Sequence, residues 1–526
     1  MSKIIGINNF IHDTGVSLII DGQVMCALEE EKMVGVKSCY EFWREPTKCL
    51  EYIEKVYGVT LENCDYVTMS LPRNQKFFME KFKLWNKLFS YSHHKCHALG
   101  SYFTSGMDGK VMAISLDGRG NRSRGKVYLC ENGKYEQVHS HSIALSSSLA
   151  GLWGIITTSL GWTTFKDEGK VVGLAGHGKF NQRIYDLLKK CFHYTDDLLF
   201  GPINTDNMYE FIFEKNLRKE GFFDLKENRD DLAFNLQLIT EEEIVKYLTD
   251  LHKLYPDYKK ITLSGGLFSN VKLNQVINEL DFFEEIYVHP AMGDAGLALA
   301  SAILKANELG EIVRPFKFDN AFLGQNFSRE EWESELNNYD NILIEEFDYT
   351  KIGNLINDGN VVGLFIGKTE YGPRALGARS IVVKPTDKET HKKLNEKLHR
   401  TEIMPFAPSV LEDYSDSIFD THKSKHTAEF MTLCYNTKPH WLDRIPAVVH
   451  EVDGTARPQL VYKNTNEIYY NIIDSYRQIS GIPLVLNTSF NAHGEPINNY
   501  PYQVMKHLFD NCVDYIITED FIISLK

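Results

Sequence analysis

The chain has 526 residues, of which 43% are hydrophobic and 24% charged, and its formal net charge is −14. This length exceeds what one hydrophobic core normally supports, so we expect two or more domains. The acidic balance argues against a general nucleic-acid-binding surface, and no apolar run reaches the roughly 18–20 residues that span a bilayer. The composition therefore predicts a globular protein with neither a nucleic-acid nor a membrane partner.

The nine cysteines are scattered along the chain and form no CxxC pair. Their odd number and spacing are typical of reduced thiols rather than of a disulfide framework or a structural zinc site. The first residues begin a strand pattern directly, without a basic region followed by an apolar signal segment. Together these features predict a cytoplasmic protein.

Strand patterns and tight turns open the chain. Residues 3–9, 12–20 and 24–28 have strand patterns, and Asp21-Gly22 is a hairpin signal between the second and third. A helix is predicted at about 46–57. This part of the sequence predicts a strand meander packed with a helix.

A second meander repeats this organisation. A helix is predicted from His93 to about Thr104, and strands at 111–116 and 126–130 flank a second Asp-Gly turn at 117–118. Two meanders with Asp-Gly turns predict a duplicated α/β core.

The second copy continues through a helix at about 232–254 and buried strands at 261–264 and 285–288. From about 303 to 345 the sequence is charged and aromatic, which indicates a connection between domains with one amphipathic helix. Strands and helices then resume, including strands at 361–366, 482–487 and 515–525, the last being the final strand.

Two arginines, Arg374 and Arg379, lie in the glycine-rich segment YGPRALGARS at 371–380. Such a segment has little to bury, so we do not expect it to serve core packing. Guanidinium groups bind phosphate or carboxylate through two parallel hydrogen bonds, and glycine lets the backbone approach a ligand closely. The segment, called the arginine loop below, therefore predicts a site for a small, highly charged anion. The alternative is a loop whose arginines pair with surface carboxylates.

His93 and His97 are four residues apart, so both lie on one face of the predicted helix. This is metal-ligand spacing, although the glutamate of HExxH is absent, which argues against a zinc protease. Asp294 lies between two glycines after a strand and is the candidate third ligand. Two imidazoles and a carboxylate suit Fe(II), Zn(II) or Mn(II). The alternative for Asp294 is a helix N-cap.

Two turns that follow strands are candidates for nucleotide binding, because they expose backbone N–H groups suited to phosphates. The first turn is Asp117-Gly118. The second contains Gly265, Gly266 and Asn270. Each signal is weak by itself.

Further polar residues follow in the last third of the chain. Lys397, Arg400 and Arg457 are basic, and such groups around one pocket would repel one another unless an anion lay between them. Asn487, Ser489 and Asn491 follow a buried strand and offer neutral donors to a phosphate or a carbamoyl group. The alternative is a set of separate surface turns.

With these motifs in this order, the chain resembles the O-carbamoyltransferases of nodulation-factor and antibiotic biosynthesis. The resemblance runs from residue 12 to the C-terminus. The motifs that carry it are His12-Asp13, Glu30-Glu31, HHKCH at 93–97, DGRG at 117–120, EGKVVGLAGHG at 168–178, SGGLFSN at 264–270, GDAG at 293–296, YGPRALGARS at 371–380, MPFAPSV at 404–410, DGTARPQ at 453–459, NTSFN at 487–491 and HGEP at 493–496.

The resemblance implies an α/β protein with a duplicated actin-like ATPase domain at residues 1–312, a connecting segment at 313–345 and a YrdC-like α/β domain at 346–526. It implies that carbamoyl phosphate is broken down in the C-terminal domain and that the carbamate is joined to AMP from ATP, with Mg²⁺. The N-terminal domain then transfers the carbamoyl group to a hydroxyl of a small molecule beside a divalent metal, Fe²⁺ being favoured over Zn²⁺ or Mn²⁺. A homodimer is left open.

The same resemblance assigns residues. His93, His97 and Asp294 would bind the metal, and Asp117, Gly118, Gly265, Gly266 and Asn270 would lie at the nucleotide. His12, beside Asp13, would be the base at the acceptor hydroxyl, and Lys37 would lie at the same cleft. The carbamoyl phosphate and ATP pocket would comprise Arg374, Arg379, Lys397, Arg400, Arg457, Asn487, Ser489 and Asn491.

One departure from the family pattern concerns Met404, which stands where many relatives have a basic residue before Pro-Phe-Ala-Pro. Either Arg400 compensates or the pocket carries one positive charge fewer.

Three alternatives use related features. A tRNA-modifying enzyme could share the fold pair, although the acidic balance weighs against it. A sugar-kinase-like phosphotransferase would need neither the His-His-Asp site nor a second domain. A non-catalytic nucleotide-binding protein is disfavoured because His12, Asp13 and both anion pockets are intact.

Overall fold

A computed structural model of the protein describes residues 2–9, 13–37, 46–70, 75–84, 86–201, 217, 221, 222, 225–400 and 404–526. The chain forms two compact units. The first comprises Met1–Gly6 and Asp65–Lys317, and the second comprises Ile7–Cys64 and Phe318–Lys526. Residues 7–64 thus group with the C-terminal part of the chain, whereas the sequence analysis assigned them to the N-terminal domain, whose bounds stay a prediction.

Two five-stranded sheets have the same strand order. The first has the order β3-β2-β1-β4-β5, and the second, read from its other edge, has the order β8-β7-β6-β11-β12. The strands up to this point are β1 Lys3–Asn8, β2 Gly15–Ile20, β3 Gln23–Glu29, β4 Tyr66–Met69, β5 Leu88–Ser90, β6 Lys110–Gly120, β7 Ser123–Glu131, β8 Lys134–Ser142, the pair β9 Tyr194–Thr195 and β10 Leu199–Phe200, β11 Lys260–Ser264 and β12 Glu285–Val288. In each sheet an antiparallel meander of three strands is followed by two further strands, and this repetition agrees with the duplicated core predicted from the sequence.

An eight-stranded sheet forms the core of the second unit, with the order β13-β22-β21-β14-β15-β20-β16-β19. Its strands and a separate pair, β17 and β18, are β13 Ile342–Glu346, β14 Val362–Phe365, β15 Arg379–Val383, β16 Ala407–Leu411, β17 Tyr435–Asn436, β18 Thr455–Ala456, β19 Gln459–Val461, β20 Leu484–Ser489, β21 Tyr515–Ile517 and β22 Phe521–Leu525. β14, β15 and β16 are buried along their whole length. Because these strands have no exposed face, their sequences are nearly continuously apolar.

Helices cover the sheets of both units. Their bounds among the described residues are Glu30–Val34, Thr47–Tyr57, Gln75–Phe82, His93–Thr104, Leu149–Ser159, Glu168–Ala175, Gln182–Cys191, Lys226–Leu254, Val271–Asn278, Leu297–Glu308, Arg329–Leu336, Tyr349–Asn357, Thr390–Lys397, Glu412–Ile418, Lys425–Ala428, Glu467–Ser480 and Pro501–Phe509. Short 3-10 turns lie at Gly266–Ser269, Asp294–Gly296 and Pro439–Trp441.

The mixed α/β class and most predicted elements are confirmed. The predicted final strand at 515–525 is wrong, because a turn divides it into β21 and β22, which pair antiparallel. β8 was missed; its side chains alternate only weakly between apolar and polar, and it pairs with β7 in the sheet. The amphipathic helix expected between 303 and 345 is Arg329–Leu336, which begins with a capping box formed by Ser328 and Glu331.

Within the described part of the chain, no helix has both the length and the apolar character needed to cross a membrane. The eight cysteines described there are buried and form no disulfide.

Candidate metal centre and arginine loop

Four side chains of the first unit converge: His93, His97, Asp117 and Asp294. One ligand atom from each lies within 4.8 Å of the others. The Nε2 atoms of His93 and His97 are both 3.2 Å from Oδ2 of Asp117, and 3.5 and 3.2 Å respectively from Oδ1 of Asp294. Two imidazole nitrogens facing two carboxylate oxygens suit a divalent transition metal, so these residues fit the metal that the sequence predicted.

The helix His93–Thr104 positions both histidines, because residues four apart share one helix face. Its first residue is fixed by a hydrogen bond of 2.7 Å from the His93 N–H to Oδ1 of Asn121. The His93 ring packs directly on Gly120, where a Cβ atom would lie only 2.3 Å from the ring. The glycine that follows Asp117 by three residues is therefore needed to admit the histidine.

Ser264 orients the second histidine. The Ser264 hydroxyl donates to the carbonyl of Met292 at 3.1 Å, and its oxygen is 3.2 Å from Nδ1 of His97. With its proton directed at Met292, the hydroxyl accepts from the Nδ1–H of His97. This hydrogen bond assigns the lone pair of neutral His97 to Nε2, the atom that faces the two carboxylates.

The electrostatics of the cluster follow from this arrangement. Burial opposes a charge on His97, but Asp117 and Asp294 outweigh it and raise the pKa of that imidazole from 6.5 to about 9. Burial likewise opposes the charge on Asp117, yet hydrogen bonds from His93 and His97 hold its pKa well below 3.8. In the absence of a cation, a proton on His97 therefore offsets part of the charge of the two carboxylates.

Two neighbouring histidines stay neutral. Burial lowers the pKa of His94 and of His289 to about 3 in both cases. His94 lies between the Ser115 hydroxyl and the Ser123 carbonyl, at 3.0 and 2.9 Å. Although HHKCH offers three histidines, the contacts of His94 show that it supports the helix instead of facing the cluster.

Of the two turns predicted to bind a nucleotide, the first is wrong, because Asp117-Gly118 lies within β6 and the chain turns at 121–122. Both predicted segments lie next to the cluster of His93, His97, Asp117 and Asp294. Gly265 has a positive φ of 106°, and a Cβ atom there would meet the Leu116 carbonyl at 2.2 Å. A Cβ on Gly266 would lie 3.0 Å from Oδ1 of Asp117. Both glycines therefore let the turn approach the end of β6. Gly118 has open space at its Cβ position and donates its N–H to Oδ1 of Asp117 at 2.6 Å.

Asn270 has a structural use. Its Oδ1 accepts the Leu273 N–H at 3.0 Å and so caps the helix Val271–Asn278, while its Nδ2 donates to Oε1 of Gln237 at 2.8 Å. The side chain is buried and its hydrogen bonds are made within the protein. A direct contact with a nucleotide stays a prediction.

Of the three predicted catalytic residues, Asp13 and Lys37 belong to the second unit. His12 lies outside the described residues. Asp13 has a positive φ of 58°, a backbone conformation that aspartate tolerates better than most residues, and its carbonyl accepts from Nδ2 of Asn8 at 2.8 Å. Lys37 is partly exposed.

The expectation that the arginine loop has little to bury is wrong. Tyr371, Leu376 and Ala378 are 2%, 3% and 1% exposed, and Arg379 is fully buried. The reason is a carboxylate that sequence reasoning missed. Oε1 of Glu370, itself 1% exposed, accepts the N–H groups of Leu376, Ala378 and Arg379 at 2.8, 2.8 and 2.9 Å. The position of Glu370, directly before the loop and after an apolar strand, was the available signal.

Arg379 is held by main-chain groups. Its guanidinium donates to the carbonyls of Ile366, Gly367, Ala378 and Gln325 at 3.0–3.3 Å, and its central carbon lies 3.5 Å from the centre of the Phe365 ring. Burial lowers its pKa to about 10, against the opposing effect of the Glu370 and Glu519 carboxylates. Arg379 therefore holds the loop in place. Arg374 is half-buried and is the arginine of the pair that suits a ligand.

Three of the predicted loops meet at one junction in the eight-stranded sheet. Nδ2 of Asn487 donates to the Ala375 carbonyl at 3.1 Å and to the Ser409 hydroxyl at 2.9 Å. Nε2 of Gln459 donates to the Leu376 carbonyl at 2.7 Å. Gln459 follows the half-buried Arg457 by two residues, and Ala375 follows Arg374 by one. The backbone segments that carry these two arginines are therefore adjacent.

Arg400 joins the third loop. Its guanidinium donates to Thr488 at 2.8 Å, to the carbonyl and hydroxyl of Ser489 at 2.8 and 3.1 Å, and to the carbonyl and Oδ1 of Asn491 at 2.8 and 2.7 Å. Arg400, Ser489 and Asn491 thus lie together as predicted neighbours. The carbonyl of Met404 accepts from Nε2 of His391 at 2.9 Å.

Lys397 makes a different contact. Its ammonium pairs with Oδ1 of Asp514 at 2.6 Å, and the other oxygen of that carboxylate accepts the Val361 N–H at 2.7 Å. The positive charge that the sequence analysis assigned to an anion pocket is thus already partnered by a carboxylate.

Two sequence models of one protein family match the chain. Residues 44–303 match the sequence model described as "Carbamoyltransferase N-terminus", and residues 353–525 match "Carbamoyltransferase C-terminus". The chain belongs to the carbamoyltransferase family. Its predicted membership is confirmed, and it is an enzyme of the carbamoyltransferase type.

The carbamoyltransferase has relatives across bacteria and archaea. It is 29% identical to nodulation protein NolNO of Sinorhizobium fredii, over 99% of this chain and 80% of that protein. It is 28% identical to nodulation protein NolO of Bradyrhizobium diazoefficiens, over 83% of this chain and 79% of that protein. An uncharacterised protein of Methanocaldococcus jannaschii is 32% identical over 92% of this chain and 93% of its own length.

Solved structures are more distant. Component A of (R)-2-hydroxyglutaryl-CoA dehydratase from Acidaminococcus fermentans is 14% identical, with a TM-score of 0.36 over 58% of this chain and 97% of that one. Full-length HypF in its phosphate- and nucleotide-bound form is 15% identical, with a TM-score of 0.35 over 58% of this chain and 56% of that one.

Proposed function

We propose that this carbamoyltransferase uses carbamoyl phosphate and ATP to form carbamoyl-adenylate and transfers the carbamoyl group to a hydroxyl of a small molecule. The observation that carries the proposal is the junction of the loops bearing Arg374, Arg457 and Asn487, which lies in the part of the chain that matches the carbamoyltransferase C-terminus. A junction of guanidinium and amide groups suits a ligand with a phosphate at one end and an amide at the other.

The proposed sequence has three balanced steps. Water cleaves carbamoyl phosphate to carbamate and inorganic phosphate. A carbamate oxygen then attacks the α-phosphorus of ATP, and pyrophosphate leaves. Finally the acceptor oxygen attacks the carbamoyl carbon, the bond from that carbon to the AMP oxygen breaks, and the hydroxyl proton passes to a base. Adenylation is needed because carbamate by itself is a poor electrophile, whereas AMP is a good leaving group.

The residues divide between these steps. Arg374 and Arg457 are proposed to offset the charge on the phosphates, with Arg400, Ser489 and Asn491 at the same pocket. His12, beside Asp13, is the proposed base, and Lys37 is assigned to the acceptor end.

His93, His97, Asp117 and Asp294 would hold the divalent ion, for which Fe²⁺ is our first choice. When bound, such an ion supplies Lewis-acid polarisation of a ligand oxygen. The residues' own contribution is to hold that position with two imidazoles and two carboxylates.

Two variants test the assignment. The purified protein is incubated with ATP, radiolabelled carbamoyl phosphate, Mg²⁺ and Fe²⁺ and a panel of polyhydroxylated small molecules. Carbamoyl-adenylate, pyrophosphate and carbamoylated product are then quantified. We expect Arg374→Ala to abolish adenylate formation and His97→Ala to retain it while impairing transfer, because the two residues serve different steps.

The controls separate this proposal from its alternatives. Omitting carbamoyl phosphate should stop all pyrophosphate release. A sugar-kinase-like phosphotransferase would instead release ADP, with or without carbamoyl phosphate. A tRNA arm should give no labelled product. The site assignments are contradicted if both variants form adenylate and product at the wild-type rate.

A further inference from the structure

A lysine of the N-terminal segment is buried against the arginine loop. Lys32 is only 3% exposed, although lysine is almost never fully buried unless it is paired. Its ammonium donates to the carbonyl of Glu370 at 2.7 Å and to that of Gly372 at 2.8 Å, and it pairs with the carboxylate of Glu29. All of these residues belong to the second compact unit. An ammonium has three N–H donors, so these three contacts use its whole capacity.

Glu29 holds the same point of the loop from its other side. It is 8% exposed, and its Oε2 accepts the N–H of Gly372 at 3.2 Å while it pairs with Lys32. Gly372 has a positive φ of 99°, a conformation that glycine adopts without strain. Both the N–H and the carbonyl of this one residue are therefore bound by an ion pair, which fixes its backbone.

The far end of the loop is fixed by Glu370, whose Oε1 binds the N–H groups of Leu376, Ala378 and Arg379. Arg374 lies between the two anchored points, two residues from each. A segment this short has little backbone freedom once both of its ends are held.

The contacts of Glu29, Lys32 and Glu370 are suited to positioning the arginine loop rather than to stabilising the fold. Removing charges from water is costly, and a buried ion pair is often no more stabilising than apolar residues of similar volume. What such a pair supplies is directional hydrogen bonding to named backbone atoms. Here those atoms belong to Gly372 and Glu370, just before the arginine proposed to bind the substrate.

We propose that Glu29 and Lys32 are positioning residues that hold Arg374 in its binding geometry and thereby set the affinity for carbamoyl phosphate. This inference rests on the proposed function. The inference goes beyond the proposed function because it assigns a role to an ion pair of the N-terminal segment. Lys32 of this pair precedes the predicted catalytic Lys37 by five residues.

The test is the double variant Glu29→Met/Lys32→Met. Apolar residues of similar length replace the ion pair without leaving a single buried charge, so the protein should stay folded. We expect kcat/KM for carbamoyl phosphate to fall about 100-fold, mainly through KM, because small displacements of a substrate-binding group cost about that much. The midpoint of thermal unfolding should change little.

A matched control uses a surface pair with the same spacing. Lys48 and Glu51 are also three residues apart, with 2.7 Å between charged atoms, but their side chains are 52% and 55% exposed. The variant Lys48→Met/Glu51→Met should leave the KM for carbamoyl phosphate unchanged.

A double-mutant cycle provides a measurement that a purely structural role would not affect. If Glu29 and Lys32 act through Arg374, adding Glu29→Met/Lys32→Met to Arg374→Ala should cause no further loss of carbamoyl phosphate binding, measured by calorimetry. Equal losses in both backgrounds would overturn the proposal. So would a variant that binds carbamoyl phosphate as tightly as the wild type.

Two outcomes keep this inference distinct from the proposed function. If the wild type itself neither binds nor consumes carbamoyl phosphate, the proposed function fails and this inference fails with it. If the double variant unfolds, Glu29→Gln/Lys32→Met replaces it, since this variant leaves no single buried charge, keeps an acceptor for the Gly372 N–H and removes the donor to the carbonyls of Gly372 and Glu370. An increase in the KM for carbamoyl phosphate of about tenfold in Glu29→Gln/Lys32→Met then supports the proposal, and an unchanged KM overturns it.

Discussion

The metal cluster and the arginine loop both concentrate charge, but they balance it differently. In the cluster, two carboxylates face two imidazole nitrogens at 3.2–3.5 Å, and a proton or a cation is needed between them. In the loop, the protein supplies its own counter-groups: Glu370 binds three N–H groups, and Arg379 donates to four carbonyls. The four side chains of the cluster therefore suit an external cation, whereas the loop is held together by groups of its own chain.

Residues that look equivalent within one sequence motif have different surroundings in the structure. Arg374 and Arg379 both belong to YGPRALGARS, yet Arg379 is fully buried and Arg374 is half-buried. His94 and His97 are both part of HHKCH, yet only His97 faces the carboxylates. A motif therefore contains both ligand-facing residues and residues that hold them.

The largest expected effect tests this separation in the arginine loop. Arg379→Ala should lower the free energy of unfolding by about 3–5 kcal/mol, because it removes a buried guanidinium that donates to four carbonyls and opens a cavity against Phe365. Arg374→Ala should change stability by less than about 1 kcal/mol, since its side chain is only half-buried. Denaturant titration of both variants measures the contrast, and equal losses would mean that the two arginines have the same role.

The second prediction concerns the cluster without metal. The pKa of His97 is raised from 6.5 to about 9, so its interaction stabilises the fold fully below pH 6.5 and is lost as the pH rises through 9. This shift corresponds to on the order of 3 kcal/mol. Denaturation of the metal-stripped protein between pH 6 and 10 measures it.

The matched variant for this experiment is His97→Asn, which cannot titrate and should show a flatter profile over that range. Saturating divalent metal should also suppress the loss in the wild type, because a metal binds the neutral imidazole. The opposite slope, with stability rising between pH 7 and 9, would contradict the assignment. Asp117 does not interfere, since its depressed pKa acts only at acidic pH.

The smallest effect is expected from Ser264→Ala. Losing the hydroxyl that orients the His97 ring should weaken divalent-metal affinity about tenfold, the usual effect of removing a group that supports a ligand. Binding of carbamoyl phosphate should be unchanged, because Ser264 belongs to the first unit and the arginine loop to the second. Calorimetric titration with each ligand tests this, and a loss of both affinities would mean that the serine serves stability only.

Much of the fold was predictable because its signals are local. Alternating apolar residues predicted both meanders, Asp21-Gly22 predicted the turn between β2 and β3, and the i,i+4 histidines predicted one face of a helix that begins at His93. The second predicted turn, Asp117-Gly118, lies within β6 instead, and the turn to β7 is at 121–122. The division of residues 515–525 into two strands was not predicted, since the turn at 518–520 carries no glycine or proline.

The site was predictable in composition more than in roles. Histidine spacing and a carboxylate between glycines indicated His93, His97 and Asp294, and the structure adds Asp117 as a fourth member. Asp117 was expected at the nucleotide because a turn after a strand does not reveal which side chains it will meet. The family resemblance added the assignments of His12 and Lys37, which no local pattern indicated.

By itself, the sequence determined which chemical groups are present, which of them share a helix face or follow a strand, and the family to which the chain belongs. Only the tertiary structure decided which of these groups are used internally. Glu370 binds the loop's N–H groups, Lys32 reaches it from 338 residues away, and Arg379 is buried by main-chain carbonyls. The physical reason is that a buried polar group must find a partner, and that partner is set by packing between distant segments rather than by neighbours in the chain.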